Sequence, residues 1–74
     1  MRGVTPVTKT LRLSGGSQRS IEDAISTVLA RAATSVENIA SFEIVRVGGT
    51  VDDAGVPSSY DVTLDIVFNV RDIP

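Results

Sequence analysis

The stretch SIEDAISTVLARAATSVENIASFEIV, Ser20 to Val45, decides the fold. Its apolar residues Ile21, Ala24, Ile25, Val28, Leu29, Ala32 and Val36 recur at spacings of three and four, which predicts one amphipathic helix from Ile21 to Val36. Ser20 is placed to cap that helix, because its hydroxyl can accept from a free first-turn amide. Glu22 and Asp23 then set negative charge at the positive end of the helix dipole. After the helix the period changes to that of a strand, SFEIVRV, with neither proline nor glycine at the corner Ile39-Ala40-Ser41.

Outward from this stretch the pattern stays that of strands. Upstream, VTKTLRLS (Val7 to Ser14) puts Val7, Lys9, Leu11 and Leu13 on one face and Thr8, Thr10, Arg12 and Ser14 on the other, and Gly15-Gly16 is expected to end it. Downstream, SSYDVTLDIVFNV alternates Tyr60, Val62, Leu64, Ile66, Phe68 and Val70 with Asp61, Thr63, Asp65, Val67, Asn69 and Arg71. A turn containing DDAGVP joins the last two strands, with Gly55 and Pro57 as its breakers. The order strand, helix, strand, strand predicts an α+β fold, a three-stranded antiparallel sheet with one helix. It forms a single domain over 1–74, with residues 1–6 expected to be a flexible N-terminus.

Lengths add an expectation about assembly. Tyr60 to Val70 reaches about 37 Å as a strand, against about 24 Å for a helix from Ile21 to Val36. One helix cannot cover such a strand: either the sheet curls strongly around the helix or its overhanging apolar residues meet another subunit, and the outer strands have open edges, so a stable homo-oligomer is expected. Composition agrees, since a chain of 74 residues has a thin core and contains neither cysteine nor histidine to supply disulfides or imidazole ligands. The formal charge of −2, with Lys9 the single lysine, argues against nucleic-acid binding. MRGVTPVTKT lacks a signal-peptide core and no apolar run is long enough for a membrane span, so a soluble, cytoplasmic protein is expected.

Chemistry-bearing constellations are sparse, and no enzyme is expected, because nothing in the spacing activates a nucleophile or pairs an acid with a base. SGGSQRS, with Arg19, has the glycines of an anion loop but neither the lysine nor the spacing of a nucleotide-binding motif, and reads as turn and cap. Asp52 and Asp53 are candidate oxygen ligands for calcium, with a solvated hairpin turn as the simpler account. Asp61 and Asp65 share one strand face, either a polar pocket wall or the wet side of the sheet. Phe42 and Tyr60 read as core or interface aromatics.

Glu22, Ala24, Leu29-Ala30-Arg31-Ala32, Phe42-Glu43-Ile44 and Asp61-Val62-Thr63-Leu64-Asp65-Ile66 with Phe68 match the helix, the second strand and the last strand of one family. Over roughly residues 7 to 72 the chain resembles the dodecins. That resemblance implies a subunit whose long sheet wraps its helix, twelve copies closing into a hollow sphere, and storage of flavins such as FMN or riboflavin. It also implies flavin contacts from a tryptophan just before Phe-Glu and a glutamine on the last strand, positions held here by Ser41 and Asp61. The family histidine at the end of the second strand is likewise missing from Gly48-Gly49-Thr50. Serine has no π-face and aspartate no amide donor, so the resemblance implies a ligand-binding or storage shell in which flavin binding is weakened or lost. A purely structural shell, or one binding calcium or another cation, is the alternative.

Overall fold

The computed structural model describes residues 7–70. Its elements are β1 (Thr8–Ser17), α1 (Ile21–Ala33), β2 (Ile39–Val51) and β3 (Pro57–Asn69). The sheet is antiparallel in the order β1-β3-β2, so α1 carries the chain from one edge strand to the other and β3 fills the gap between them. This is the α+β arrangement, three strands around one helix, that the sequence predicts. The expectation for residues 1–6 lies outside the described residues.

The helix starts as expected. Ser20 is extended (φ −168°) and its Oγ accepts from the Asp23 amide at 2.9 Å. It ends three residues early, at Ala33 rather than Val36. The amides of Thr34 and Ser35 turn back to the carbonyls of Arg31 and Ala32, and the Thr34 hydroxyl donates to the Arg31 carbonyl at 2.7 Å. The chain then reverses at Asn38, whose φ of 64° lies in the left-handed region that asparagine tolerates better than most side chains. The Asn38 carbonyl accepts from the Asn69 amide at 3.0 Å, which ties the corner to the end of β3. The bend thus precedes Ile39, and β2 begins two residues before the SFEIVRV segment.

Gly15-Gly16 does not break β1, which runs on to Ser17. A Cβ on Gly15 would stand 2.5 Å from Val28 Cγ2, so glycine there lets the helix lie against the strand. The core is small: Ala24, Val28 and Ala32 of α1 against Val62, Leu64 and Ile66 of β3, flanked by half-buried Leu13, Ile25, Leu29 and Ile39. Two alanines in the helical stripe bring the helix axis close to the sheet, and α1 packs on β1 and β3.

The thirteen-residue helix spans about 20 Å, whereas β2 and β3, thirteen residues each, reach about 43 Å. The β2–β3 hairpin therefore extends well past the helix as an arm, and the molecule measures 62 × 20 × 14 Å. On the inner face of β2, Phe42 and Ile44 lie beside Ile66 and Leu64 in register, yet remain 44% and 45% exposed because no helix covers them.

Gly15→Ala is expected to lower stability by about 1–3 kcal/mol through the clash with Val28. In the Gly15→Ala, Val28→Ala double variant the loss should be smaller than the sum of the single losses. Denaturant unfolding at one fixed protein concentration measures all three, and strict additivity would remove the proposed contact.

Candidate functional site

The outer face of the sheet, opposite the helix, carries both aspartates of β3. Alternation with the buried Val62, Leu64 and Ile66 puts Asp61, Thr63, Asp65 and Val67 there, as the sequence predicts for the two aspartates. Cross-strand neighbours fix what each one meets. Arg12 of β1 stands opposite Asp65 and forms a bidentate pair, with Nε donating to Oδ1 at 2.7 Å and Nη2 donating to Oδ2 at 3.0 Å. Ser14 stands opposite Thr63, their hydroxyls 2.8 Å apart. Asp65 is therefore part of a structural polar ladder.

Asp61 is differently placed. Its neighbours across both ladders are glycines, Gly16 on β1 and Gly48 on β2, so no side chain flanks it in register. Its carboxylate is half exposed and lies 3.6 Å from Arg46 Nη1. Arg46 reaches this face because β2 has an irregularity between Ile44 and Arg46: Ile44 pairs with Leu64 on the inner face, Arg46 pairs with Thr63 on the outer face, and Val45 is the extra residue. Regular alternation from Phe42 would have turned Arg46 inward, which is why sequence periodicity did not identify it as Asp61's neighbour.

Ser41 is exposed on the same outer face, beside Val67 of β3. Val67 and Asp61 are six residues apart on one strand, or about 20 Å. One subunit therefore does not bring Ser41 and Asp61 together, and any pocket using both positions draws them from different copies. Phe42 and Tyr60 are similarly separated, the first opposite Ile66 and the second opposite Gly49.

The arm holds a cleft of about 320 Å³ whose walls include Ile21, Val47, Val51, Pro57 and Tyr60. At its tip the Asp52 carboxylate builds the turn, with Oδ1 accepting from the amides of Ala54 at 2.9 Å and Val56 at 3.0 Å. Gly55, at φ 80°, completes that turn. Asp53 is exposed beside it. Among the described residues no group of three or more His, Cys, Asp or Glu side chains is arranged to hold a metal ion, and no helix is long and apolar enough to cross a membrane. The Ser17-to-Ser20 segment acts as turn and cap: Ser17 Oγ donates to Asp23 Oδ2 at 2.6 Å and accepts from the Arg19 amide at 2.8 Å.

A family model described as Dodecin matches residues 7–71. Among curated proteins, a dodecin of Thermus thermophilus is 35% identical over 66 residues, covering 89% of this chain and 94% of the relative. A crystal structure of a protein from Thermus thermophilus superposes with a TM-score of 0.83 at 33% identity, covering 93% of this chain and all of that one. The calcium dodecin of Mycobacterium tuberculosis, described as having a novel calcium-binding site, is 29% identical with a TM-score of 0.73, covering 92% and 96% of the two chains.

Arg12's hydrogen bonds hold the Asp65 carboxyl below its ordinary value, against the upward push of partial desolvation, and the same pair raises the Arg12 guanidinium. A lowered folded-state value means that the pair's stabilisation is complete above about pH 4, the ordinary aspartate range, and is lost as pH falls through the folded value. Carboxyl NMR should show Asp65 titrating low in the native protein and moving up in Arg12→Ala. The stability gap between the two proteins should be flat from neutral pH to about pH 5 and close on acidification; a gap that widens in acid would contradict the pairing.

Proposed function

The chain belongs to the dodecin family, and we propose that it is a non-catalytic, cytoplasmic, homo-oligomeric ligand-binding or storage protein, a dodecamer by family, in which flavin binding is weakened. The observation that carries the oligomer is the uncovered sheet. Phe42, Ile44 and Val47 are 43–45% exposed on the inner face of β2, and both β1 and β2 are open edges. Self-association supplies the second layer that one helix of thirteen residues is too short to provide.

Two residues support the weakening of flavin binding. Ser41, exposed on the outer face, has no ring to stack on an isoalloxazine, a loss of about 1–3 kcal/mol per stacked ring by analogy with base stacking. Asp61 sets a carboxylate where an amide could donate, and its charge opposes the carbonyl oxygens of the flavin edge. FMN or riboflavin fluorescence should be little quenched by the native protein. Ser41→Trp combined with Asp61→Gln should tighten flavin binding at least ~10-fold, with an oligomeric mass by light scattering in both proteins. Strong quenching by the native chain, or no gain in the double variant, would overturn this assignment, and a subunit mass of about 8 kDa would overturn the shell.

A cation-binding reading draws on the calcium dodecin of Mycobacterium tuberculosis. In this chain it meets the difficulty that Asp52 already accepts two turn amides, which leaves Asp53 as the freer of the pair. Calorimetry with calcium separates the readings. Heat that vanishes when Asp52 and Asp53 are both changed to asparagine supports a cation at the hairpin turn, and heat unchanged by that double substitution removes it.

A further inference from the structure

The strip of sheet left bare beside α1 has a definite shape. Thr27 and Arg31 of the helix stand with Ser14 and Gly15 of β1, so the opposite flank of the helix, with half-buried Ile25 and Leu29, is turned toward β2. α1 packs on β1 and β3, and Phe42 and Ile44 of β2 stay 44% and 45% exposed beside it. The result is a trough with a helical wall and an apolar floor. It continues into the cleft of the arm, where Ile21 stands with Val47, Val51, Pro57 and Tyr60.

The trough has the dimensions of one further layer. A helix is about 10–12 Å across, so α1 makes a wall about as high as the ~10 Å spacing at which one sheet packs on another. A flat element laid beside α1 would finish the layer that the helix begins. That element must be narrow, apolar on one face and clear of any helix of its own. The arm of a second copy meets these conditions, because its inner face, with Val47, Val51, Pro57 and Tyr60, extends past the end of its own α1. The other described surfaces do not. The solvent side of α1 carries Glu22, Ser26 and Ala30, the outer face of the sheet is a polar ladder, and Val7 with Val70 is a single cross-strand pair at the opposite end. The area is also sufficient. A compact monomer of 7.8 kDa exposes about 4,400 Å², whereas this chain exposes 5415 Å². The excess, about 1,000 Å², is of the size that one partner gives to a standard interface, about 800 Å².

We infer that the layer over Phe42 and Ile44 is the arm of a second copy, laid beside α1 with its Val47 and Val51 face on the strip. The inference rests on the self-association proposed above and names the segment that makes it. The arm is apolar on one face because that face is buried on another subunit.

The chain has no cysteine, so single thiols can be placed in the strip, as Ile44→Cys, and on the arm, as Val51→Cys. Within one subunit these positions are seven residues apart on β2, about 24 Å. A bismaleimide about 10 Å long, the spacing of facing sheets, cannot join them there. The two variants are refolded together and separately, shown by light scattering to keep the oligomeric mass, and treated with the crosslinker. The mixed assembly should give a covalent product of twice the subunit mass on a denaturing gel, and neither variant alone should. Phe42→Cys in place of Ile44→Cys repeats the measurement at the neighbouring inner position of the strip. No product from either mixture overturns the inference, and so does a product from the variants refolded singly, which would put like positions together. With an oligomeric mass and no mixed product, self-association survives without the arm contact; a subunit mass for the native protein removes both.

Discussion

Everything in this subunit hangs on one narrow contact, the stripe Ala24, Val28 and Ala32 lying on Val62, Leu64 and Ile66. Small residues on the helix and Gly15 in β1 let the two layers approach closely, which gives dense packing over a short length. The cost is coverage. A short helix set close to a long sheet shields the middle strand and leaves β2 with half-exposed phenylalanine, isoleucine and valine on its inner face. The same contact that makes the monomer fold therefore makes it incomplete, and self-association becomes part of the folding energetics rather than an addition to them.

The outer face follows a different logic. Its side chains are held in cross-strand pairs, Arg12 with Asp65 and Ser14 with Thr63, which fix register without burying charge. Toward the arm this ladder stops. There Asp61 stands between two glycines, and its carboxylate lies over Gly48 beside the Arg46 guanidinium.

Most of the architecture was legible in the sequence because it depends on period. The stripe of α1, the alternation of β3 and the cap at Ser20 are local patterns, and they form where those patterns put them. Where period and tertiary packing disagree, the sequence misleads. Gly15-Gly16 reads as a breaker but serves as clearance for Val28, and Val36 continues the helical stripe after Thr34 and Ser35 have already turned back onto the last carbonyls. The positions of Ser41 and Asp61 were legible only through the dodecin resemblance. Their separation along one face, and the arrival of Arg46 beside Asp61, depend on register, which no single strand encodes.

The extra residue at Val45 acts as a phase shift in β2. Between Ser41 and Ile44 the even-numbered positions face the helix side, and beyond Val45 the odd-numbered ones do, so that Val47 joins the inner face and Arg46 the outer. A change of one residue in length at this point would not lengthen or shorten a loop. It would exchange the two faces of the arm beyond it, turning an arginine to the apolar inner face and a valine to the polar outer one. Insertions and deletions near Val45 are therefore substitutions of a whole surface, and a relative that differs there in length by one residue has, in effect, a different arm.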